Sequence, residues 1–144
     1  MIDLDNQTTL HMELPPLEKI ASSLSTKDVE LIITDDLRMQ QLNSEHRGKN
    51  TSTDVLSFPI DSHFDDAPMI GLPLGSIVIS EAYVIQKSEA LGHTVQDELS
   101  LLFIHGMLHL LGFDHEVDEG QMRQKEEALI REFDLPQSLI VRTK

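Results

Sequence analysis

The sequence predicts a layered α+β (α/β layered) domain in which a small central mixed sheet is flanked by helices. Short apolar runs of strand length, such as Val29–Thr34 and Ser76–Ser80, alternate with segments whose apolar residues recur at helical spacing. Strands and helices of this kind bury their apolar faces against one another in layers. The 144 residues are 40% hydrophobic, which is enough for one core, and we assign residues 1–144 to a single domain.

In the first third of the chain, apolar and polar residues alternate over Thr9–Leu14 (TLHMEL), which predicts a first strand. Two prolines then end that strand and suit the first turn of a helix that continues to Leu24. The apolar segment Val29–Thr34 predicts the second strand. Asp35 or the aspartate after it can cap the next helix, which we expect to extend to about Glu45.

In the rest of the chain, Val55–Pro59 predicts a short strand whose proline favours the edge of a sheet. Ser76–Ser80 predicts a buried strand, and Glu81–Leu91 predicts a helix that the next glycine ends. Thr94 begins the pattern of a capping box and opens a long apolar helix. Asp118–Phe133 predicts a final amphipathic helix.

Composition restricts the function classes. The formal net charge of −14 disfavours unaided, tight binding to nucleic acid, because phosphate contacts need Lys and Arg, although a local basic patch could still bind a nucleic acid substrate. The sequence has no run of about 20 apolar residues, so no membrane span is predicted. The chain has no cysteine, so any metal must be held by His, Asp or Glu. The acidic start lacks the pattern of a signal peptide, and we expect a cytoplasmic protein.

The segment His105–His115 (HGMLHLLGFDH) carries the strongest functional signal. His105 and His109 are four residues apart, so on a helix they lie on one face about one turn apart. Gly112 suits the end of that helix and a turn that brings His115 back toward the same face. Three imidazoles around one point, with a fourth position open, are typical of a catalytic zinc site.

Buried structural histidines are the simpler alternative for one imidazole in an apolar helix, but three would each need polar partners of their own. The spacing of the three also matches the ligand frame of metzincin proteases. In zinc proteases with the His-Glu-x-x-His motif, the glutamate after the first histidine is the general base, and here that residue is Gly106. The sequence therefore predicts the metal frame and argues against a peptidase.

The chain resembles the YbeY family of endoribonucleases over about residues 8–135. Three blocks carry the resemblance: Asp35–Lys49 (DDLRMQQLNSEHRGK), Thr53–Pro59 (TDVLSFP) and His105–His115. The departures from the usual family pattern are small, with His46 and Phe113 where tyrosine is common and Ser76 where aspartate is common.

The resemblance implies a zincin-like metal hydrolase domain with one zinc ion (Zn2+) held by His105, His109 and His115. It implies single-strand-specific endoribonuclease activity on phosphodiester bonds in ribosomal RNA, notably in maturation of the small-subunit RNA 3′ end, and a role in ribosome quality control. Family partners include the ribosome, ribosomal proteins and a ribosome-assembly GTPase. Imidazole ligands suit nickel and other divalent ions as well as zinc.

Arg47 is the candidate catalytic residue of the polar segment after the second helix, because it matches the family's functional arginine. A guanidinium is always charged and can bind a phosphate through two parallel hydrogen bonds. Bound zinc can lower the pKa of a coordinated water to about 7 or bind a phosphate oxygen as a Lewis acid, and the sequence does not choose between these routes. Lys49 and Arg38 could extend a small positive patch.

Two residues have open alternatives, and four histidines do not belong to the predicted ligand set. Asp114 could orient an imidazole or brace the turn beside it. Asp54 fits a turn cap better than a base. The scattered histidines, which we interpret as non-ligands, are His11, His46, His63 and His93.

Two other function classes remain. One is a different metal-dependent hydrolase acting on a peptide or small ester, which Gly106 disfavours. The other is a ribosome-assembly factor whose zinc mainly stabilises the fold, which the strongly negative charge would suit because such a protein acts through partners.

Overall fold

The structure is a computed structural model that describes residues 1–60, 73–114 and 117–136. Within these ranges the chain forms four strands and five helices in an α+β arrangement, which confirms the predicted fold class. The arrangement is consistent with a zincin-like domain. No helix in the described ranges is long and apolar enough to cross a membrane.

The sheet is mixed, as the sequence predicts. Its strands are β1 (Ile2–Asn6), β2 (Val29–Thr34), β3 (Val55–Pro59) and β4 (Gly75–Ser80), and they lie in the order β1-β2-β4-β3. The pairs β1–β2 and β2–β4 are parallel, whereas β3 runs antiparallel to β4. Strand β3 therefore lies at an edge of the sheet, where a terminal proline leaves no ladder hydrogen bond unmade.

The helices lie on both faces of this sheet. They are α1 (Pro15–Leu24), α2 (Asp36–Arg47), α3 (Glu81–Leu91), α4 (Val95–Leu110) and α5 (Gln121–Glu132). Helix α4 is buried along most of its length and contacts β3, β4, α1, α3 and α5. It is the central element of the larger core.

Side-chain caps fix where three helices begin. The Asp35 carboxylate accepts a hydrogen bond from the Arg38 amide at 2.8 Å, and the Ser80 hydroxyl accepts one from the Tyr83 amide. At α4 the predicted capping box is confirmed, because the Thr94 hydroxyl and the Asp97 carboxylate each accept from the other's backbone amide. Each such cap satisfies amides that have no partner within the helix.

The two faces of the sheet build separate apolar clusters. Odd-numbered residues of β2 and β4 face α1 and α4 and belong to the larger core, with Ile33 and Ile77 fully buried. Even-numbered residues face α2, where Met39 packs on Leu56 and Val78. Because successive side chains of a strand point to opposite faces, one face of the sheet packs on the larger core and the other is covered in part by α2.

The strand predicted over Thr9–Leu14 is wrong. Its residues do alternate in burial, and its apolar side chains pack on the core, but the segment has no strand pairing in the described structure. The first strand is instead Ile2–Asn6 (IDLDN), which alternates in the same way and pairs with β2. Alternation of apolar and polar residues indicates only that one side of a segment is buried. An extended segment that packs beside a sheet shows the same alternation without forming hydrogen bonds to a strand.

The last helix begins three residues later than the predicted Asp118. The Asp118 carboxylate accepts hydrogen bonds from the amides of Gly120 (2.8 Å) and Met122 (3.0 Å), so it stabilises the turn before α5. Gly120 itself has φ of 103°, a left-handed conformation that excludes it from the helix. Of the predicted inward residues, Met122, Leu129 and Ile130 are buried, and Phe133 is partly buried against the core.

We predict that Gly106→Ala destabilises the protein. A Cβ at this position of α4 would lie 2.8 Å from Ile77 Cγ2 on β4, so the helix would have to move away from the sheet. We expect a loss of about 1–3 kcal/mol in the free energy of unfolding, measured by chemical denaturation. An unconstrained glycine in a helix would respond in the opposite direction, with a gain of about 1 kcal/mol. A gain would show that the close approach of α4 to β4 is not required.

Candidate metal centre and active-site cleft

Helix α4 brings the two predicted ligands His105 and His109 together near its C-terminal end. Their Nε2 atoms are 3.1 Å apart, and the ring centroids lie 4.6 Å apart with the ring planes at 73°. Both residues are partly exposed, in contrast to the buried apolar side chains around them. The two nitrogens therefore point at a common position beside the helix.

This geometry fits a shared metal ion. Two zinc–nitrogen bonds of about 2.0–2.1 Å at a tetrahedral angle would place the nitrogens about 3.3 Å apart. The third predicted ligand, His115, lies outside the described residues. Within the described residues, no group of three His, Asp or Glu side chains surrounds a single point, so the pair contributes two of the ligands that zinc needs.

Glu126 on α5 fixes the orientation of His105. The His105 Nδ1–H donates to Glu126 Oε1 at 2.9 Å, and the glutamate is only 5% exposed. A carboxylate bonded to Nδ1 holds the tautomer whose Nε2 lone pair is available to a metal, which is the usual arrangement around metal-binding histidines. Glu126 is not among the residues that the sequence predicts for the site. Its signal was a carboxylate four residues after Met122, on the apolar side of the final helix.

An open cleft of about 810 Å³ lies in front of the two histidines. One wall is the edge strand β3, and another is the turn from Gly112 to Asp114 that follows α4. The C-terminal end of α2 completes it with His46 and Arg47. The two histidines line this cleft and are partly exposed to solvent.

The end of α2 places Arg47 in this cleft. Gly48 adopts the left-handed conformation (φ 69°), and the Lys49 amide donates to the Asn43 carbonyl at 3.4 Å, an ending typical of helices that stop at glycine. The Asn43 side chain is buried and donates to the Thr51 carbonyl at 2.7 Å. These bonds anchor the backbone on both sides of the arginine, whose exposed side chain shares the cleft with the two histidines.

Gly106 explains why the protease base is absent from this site. Its position faces the sheet, in contact distance of Ile77, and has no room for a carboxylate. The Ser57 hydroxyl of β3 donates to the Gly106 carbonyl at 3.3 Å, which further holds this turn of α4 to the edge strand. The residue that carries the base in His-Glu-x-x-His proteases is thus part of the packing here.

The two aspartates that the sequence singled out lie at turns. Asp54 Oδ1 accepts from the Val55 amide at 2.8 Å, so it caps the start of β3, as predicted. The Asp114 carbonyl accepts from the amides of Val117 (3.2 Å) and Asp118 (3.1 Å), which makes it part of the turn after α4. Asp114 also lines the cleft, and a role in orienting an imidazole stays a prediction.

The other described histidines occupy different environments. His93 is buried at the start of α4, with Nε2 3.0 Å from Glu98 Oε2. The His46 ring lies on Phe58, with centroids 4.8 Å apart and planes at 60°. His11 is exposed in the segment before α1, and His63 lies outside the described residues.

Comparisons with known proteins agree with this arrangement. A family model described as "Endoribonuclease YbeY" matches residues 5–134. A protein named endoribonuclease YbeY from Sulfurovum sp. is 56% identical over 99% of this chain and 97% of its own length. Its namesake from Sulfurimonas denitrificans is 54% identical over 100% of this chain and 99% of its own.

The fold has a counterpart among solved structures. The solution structure of TM1509 from Thermotoga maritima matches with a TM-score of 0.61 and 26% sequence identity, over 92% of this chain and 89% of that one. The family model and the full-length relatives cover the elements that build the cleft. The chain therefore belongs to the endoribonuclease YbeY family, and this membership supports a role as an endoribonuclease, a hydrolase of RNA.

Proposed function

We propose that this protein is a zinc-dependent endoribonuclease that cleaves single-stranded RNA in the cleft between α4, β3 and the end of α2. The observation that carries the proposal is the pair of converging Nε2 atoms of His105 and His109, which share one cavity with Arg47. This combination provides a place for a metal ion and a cation for a phosphate within reach of the same substrate.

His105, His109 and His115 would hold one zinc ion, with Glu126 orienting the first of them. Held by these three neutral imidazoles, zinc would supply a double positive charge able to activate a water or polarise a phosphate oxygen. Nickel or another divalent transition metal would also suit these ligands. The protein's own contribution is to fix the imidazoles and keep the approach to them open.

Arg47 is the proposed catalytic residue. Negative charge builds up on the phosphate as the phosphodiester bond is cleaved, and a guanidinium can neutralise it through two parallel hydrogen bonds. The anchored end of α2 restricts where the arginine can reach, because Gly48 and Asn43 hold the backbone beside it. A preorganised cation of this kind needs little rearrangement when the substrate binds.

The biological substrate that we propose is ribosomal RNA, with cleavage at the 3′ end of the small-subunit RNA and in ribosome quality control. Family membership supports an RNA substrate. The net charge of −14 disfavours unaided binding to RNA, so we expect partners to position the protein on it. Ribosomal proteins and a ribosome-assembly GTPase are the expected partners, in the cytoplasm.

The charge also favours a second candidate, an assembly factor whose zinc mainly stabilises the fold. Such a protein would unfold when the metal is removed, since the free energy of binding a structural zinc is part of the free energy of folding. The open cleft and the exposed arginine have no use in that case, which is why we place it second.

Removal and return of the metal tests the proposed function. We expect rigorously purified protein to cleave a single-stranded ribosomal RNA fragment, to lose cleavage on chelation while circular dichroism still reports a folded chain, and to recover it with Zn2+. A double-stranded RNA of the same sequence should not be cleaved. Equal cleavage by metal-free and reloaded protein would contradict zinc dependence, and unfolding on chelation without any cleavage would favour the assembly factor.

Substitution of Arg47 tests its catalytic role. Arg47→Ala should lower kcat for RNA cleavage by about a hundredfold, as loss of one hydrogen-bond donor to a developing charge does in other enzymes. Arg47→Lys should restore only part of the lost kcat, because lysine cannot form the two parallel hydrogen bonds of a guanidinium. Arg131→Ala, on an exposed face of α5, is the matched control and should cleave like wild type. Wild-type rates for both Arg47 variants would remove the arginine from the mechanism.

Glu126→Gln tests the orientation of the first ligand. The amide keeps the shape of the side chain but no longer presents a charged acceptor to His105 Nδ1–H. We expect zinc affinity to fall by about 10- to 100-fold in a competition assay with a chromophoric chelator. Glu132→Gln, at the exposed end of the same helix, should leave the affinity unchanged. If both variants bind zinc as tightly as wild type, Glu126 is a packing residue only.

A further inference from the structure

A second cavity, of about 310 Å³, adjoins the cleft on the α2 face of the sheet. We call it the α2 groove. One side is a stripe of α2 at four-residue spacing, and the other side is formed by even-numbered strand residues. The residues that define it are Arg38, Leu42 and His46 from α2, Glu30, Ile32, Thr34, Phe58, Ser76 and Val78 from the sheet, and Gln7 from the segment after β1.

The groove is open because α2 covers only part of this face. Pairing across the strands aligns Ile32, Val78 and Leu56 in one row, and Met39 packs over that row. The neighbouring row is aligned in the same way and consists of Glu30, Ser76 and Phe58. Helix α2 reaches this second row at Phe58, where the His46 ring lies, and the side chains of the row form the wall that faces the α2 stripe.

The groove lies next to the active-site cleft. His46 and Phe58 line both cavities, and their rings are 4.8 Å apart. Arg47, the residue proposed to bind the scissile phosphate, directly follows His46. Arg38 lies eight residues before His46, which places it about 12 Å along the helix at the far end of the groove. Each cavity therefore has a cation of its own, Arg47 in the cleft and Arg38 in the groove.

The interior of the groove suits a flat ring with a polar edge. Ile32, Leu42 and Val78 supply apolar contacts, and Phe58 and His46 supply aromatic surface. At the polar wall, the Ser76 hydroxyl donates to Glu30 Oε1 at 2.7 Å, so this wall presents a carboxylate and is rich in acceptors. A carboxylate repels a phosphate, but it accepts hydrogen bonds from the amino group of a base such as cytosine.

We propose that the α2 groove binds the base of a nucleotide that flanks the scissile phosphate, and that it favours a base with an exocyclic amino group. This inference rests on the proposed function, because the groove opens at the residue beside Arg47. Single-stranded RNA can turn its bases out to stack on aromatic side chains and bond through their edges. Arg47 in the cleft and Arg38 at the far end of the groove are cations that can contact phosphates of the bound strand.

The test uses short single-stranded RNAs in which each nucleotide around the cut is replaced, one at a time, by an abasic residue. Binding is measured by fluorescence anisotropy with the metal chelated, so that cleavage does not interfere. We expect one abasic position next to the cut to weaken binding about tenfold, since loss of one stacked base commonly weakens binding by about 5- to 150-fold. At the same position, uracil should bind more weakly than cytosine or adenine.

Two variants assign the effect to the groove. Ser76→Phe fills the groove. This variant should bind intact RNA and abasic RNA with the same affinity, as weakly as wild type binds the abasic RNA. Glu30→Gln is the gentler change: it should still distinguish intact from abasic RNA but lose the preference against uracil. Glu45→Gln, exposed on the other side of α2, is the matched control and should behave like wild type.

The outcomes separate this inference from the proposed function. If wild-type protein cleaves RNA but no flanking abasic position weakens binding, the groove takes no base and the inference is wrong while the nuclease stands. The inference would also be wrong if a folded Ser76→Phe protein bound intact RNA as tightly as wild type does. The groove would then be a candidate site for a protein partner. Base-dependent binding without any cleavage would support the groove and contradict the nuclease.

Discussion

The close approach of α4 to the sheet is the constraint on which the site depends. Gly106 allows the helix to contact Ile77, and the Ser57 hydroxyl bonds to the Gly106 carbonyl from the edge strand. His105 and His109 flank this contact along the helix, so the same packing that buries one face of α4 determines where the two imidazoles point. The position of the histidine pair and the packing of the hydrophobic core are therefore not separable, and that packing leaves no room for the protease base.

Three independent supports then converge on the cleft. Glu126 reaches His105 from α5, and Arg47 enters from the anchored end of α2. The edge strand β3 forms a wall between them. Because each support belongs to a different element, the site exists only in the folded chain, and its open side faces solvent, where an RNA strand can reach it. The α2 groove extends the same surface beyond the metal position.

Local signals in the sequence predicted most of the fold. Strands β2, β3 and β4 and helices α1 to α4 are where apolar periodicity, prolines, glycines and caps place them, because those signals act within a few residues. Thr9–Leu14 failed because its alternation could not distinguish a strand from an extended segment packed on the core. The true first strand depends on its pairing with β2, a long-range contact that no local pattern records.

The candidate site was predicted in part for the same reason. The spacing of His105 and His109 was sufficient to place two ligands on one helical face, and the resemblance to a known family was needed to select Arg47. Glu126 was missed because its partner is 21 residues away on another helix, and the α2 groove was missed because it is formed by four elements. The sequence predicted single residues of the site better than it predicted contacts between different helices and strands.

The measurement that tests the central claim most directly compares His109→Ala with wild type in zinc content, folding and cleavage of single-stranded ribosomal RNA. His11→Ala, an exposed histidine away from the cleft, is the matched control. We predict one zinc per wild-type and control chain, and a folded His109→Ala protein that has lost most of its zinc and its cleavage. Equal cleavage by His109→Ala and wild type, or unfolding of the variant with its loss of zinc, would contradict a catalytic metal at this histidine pair.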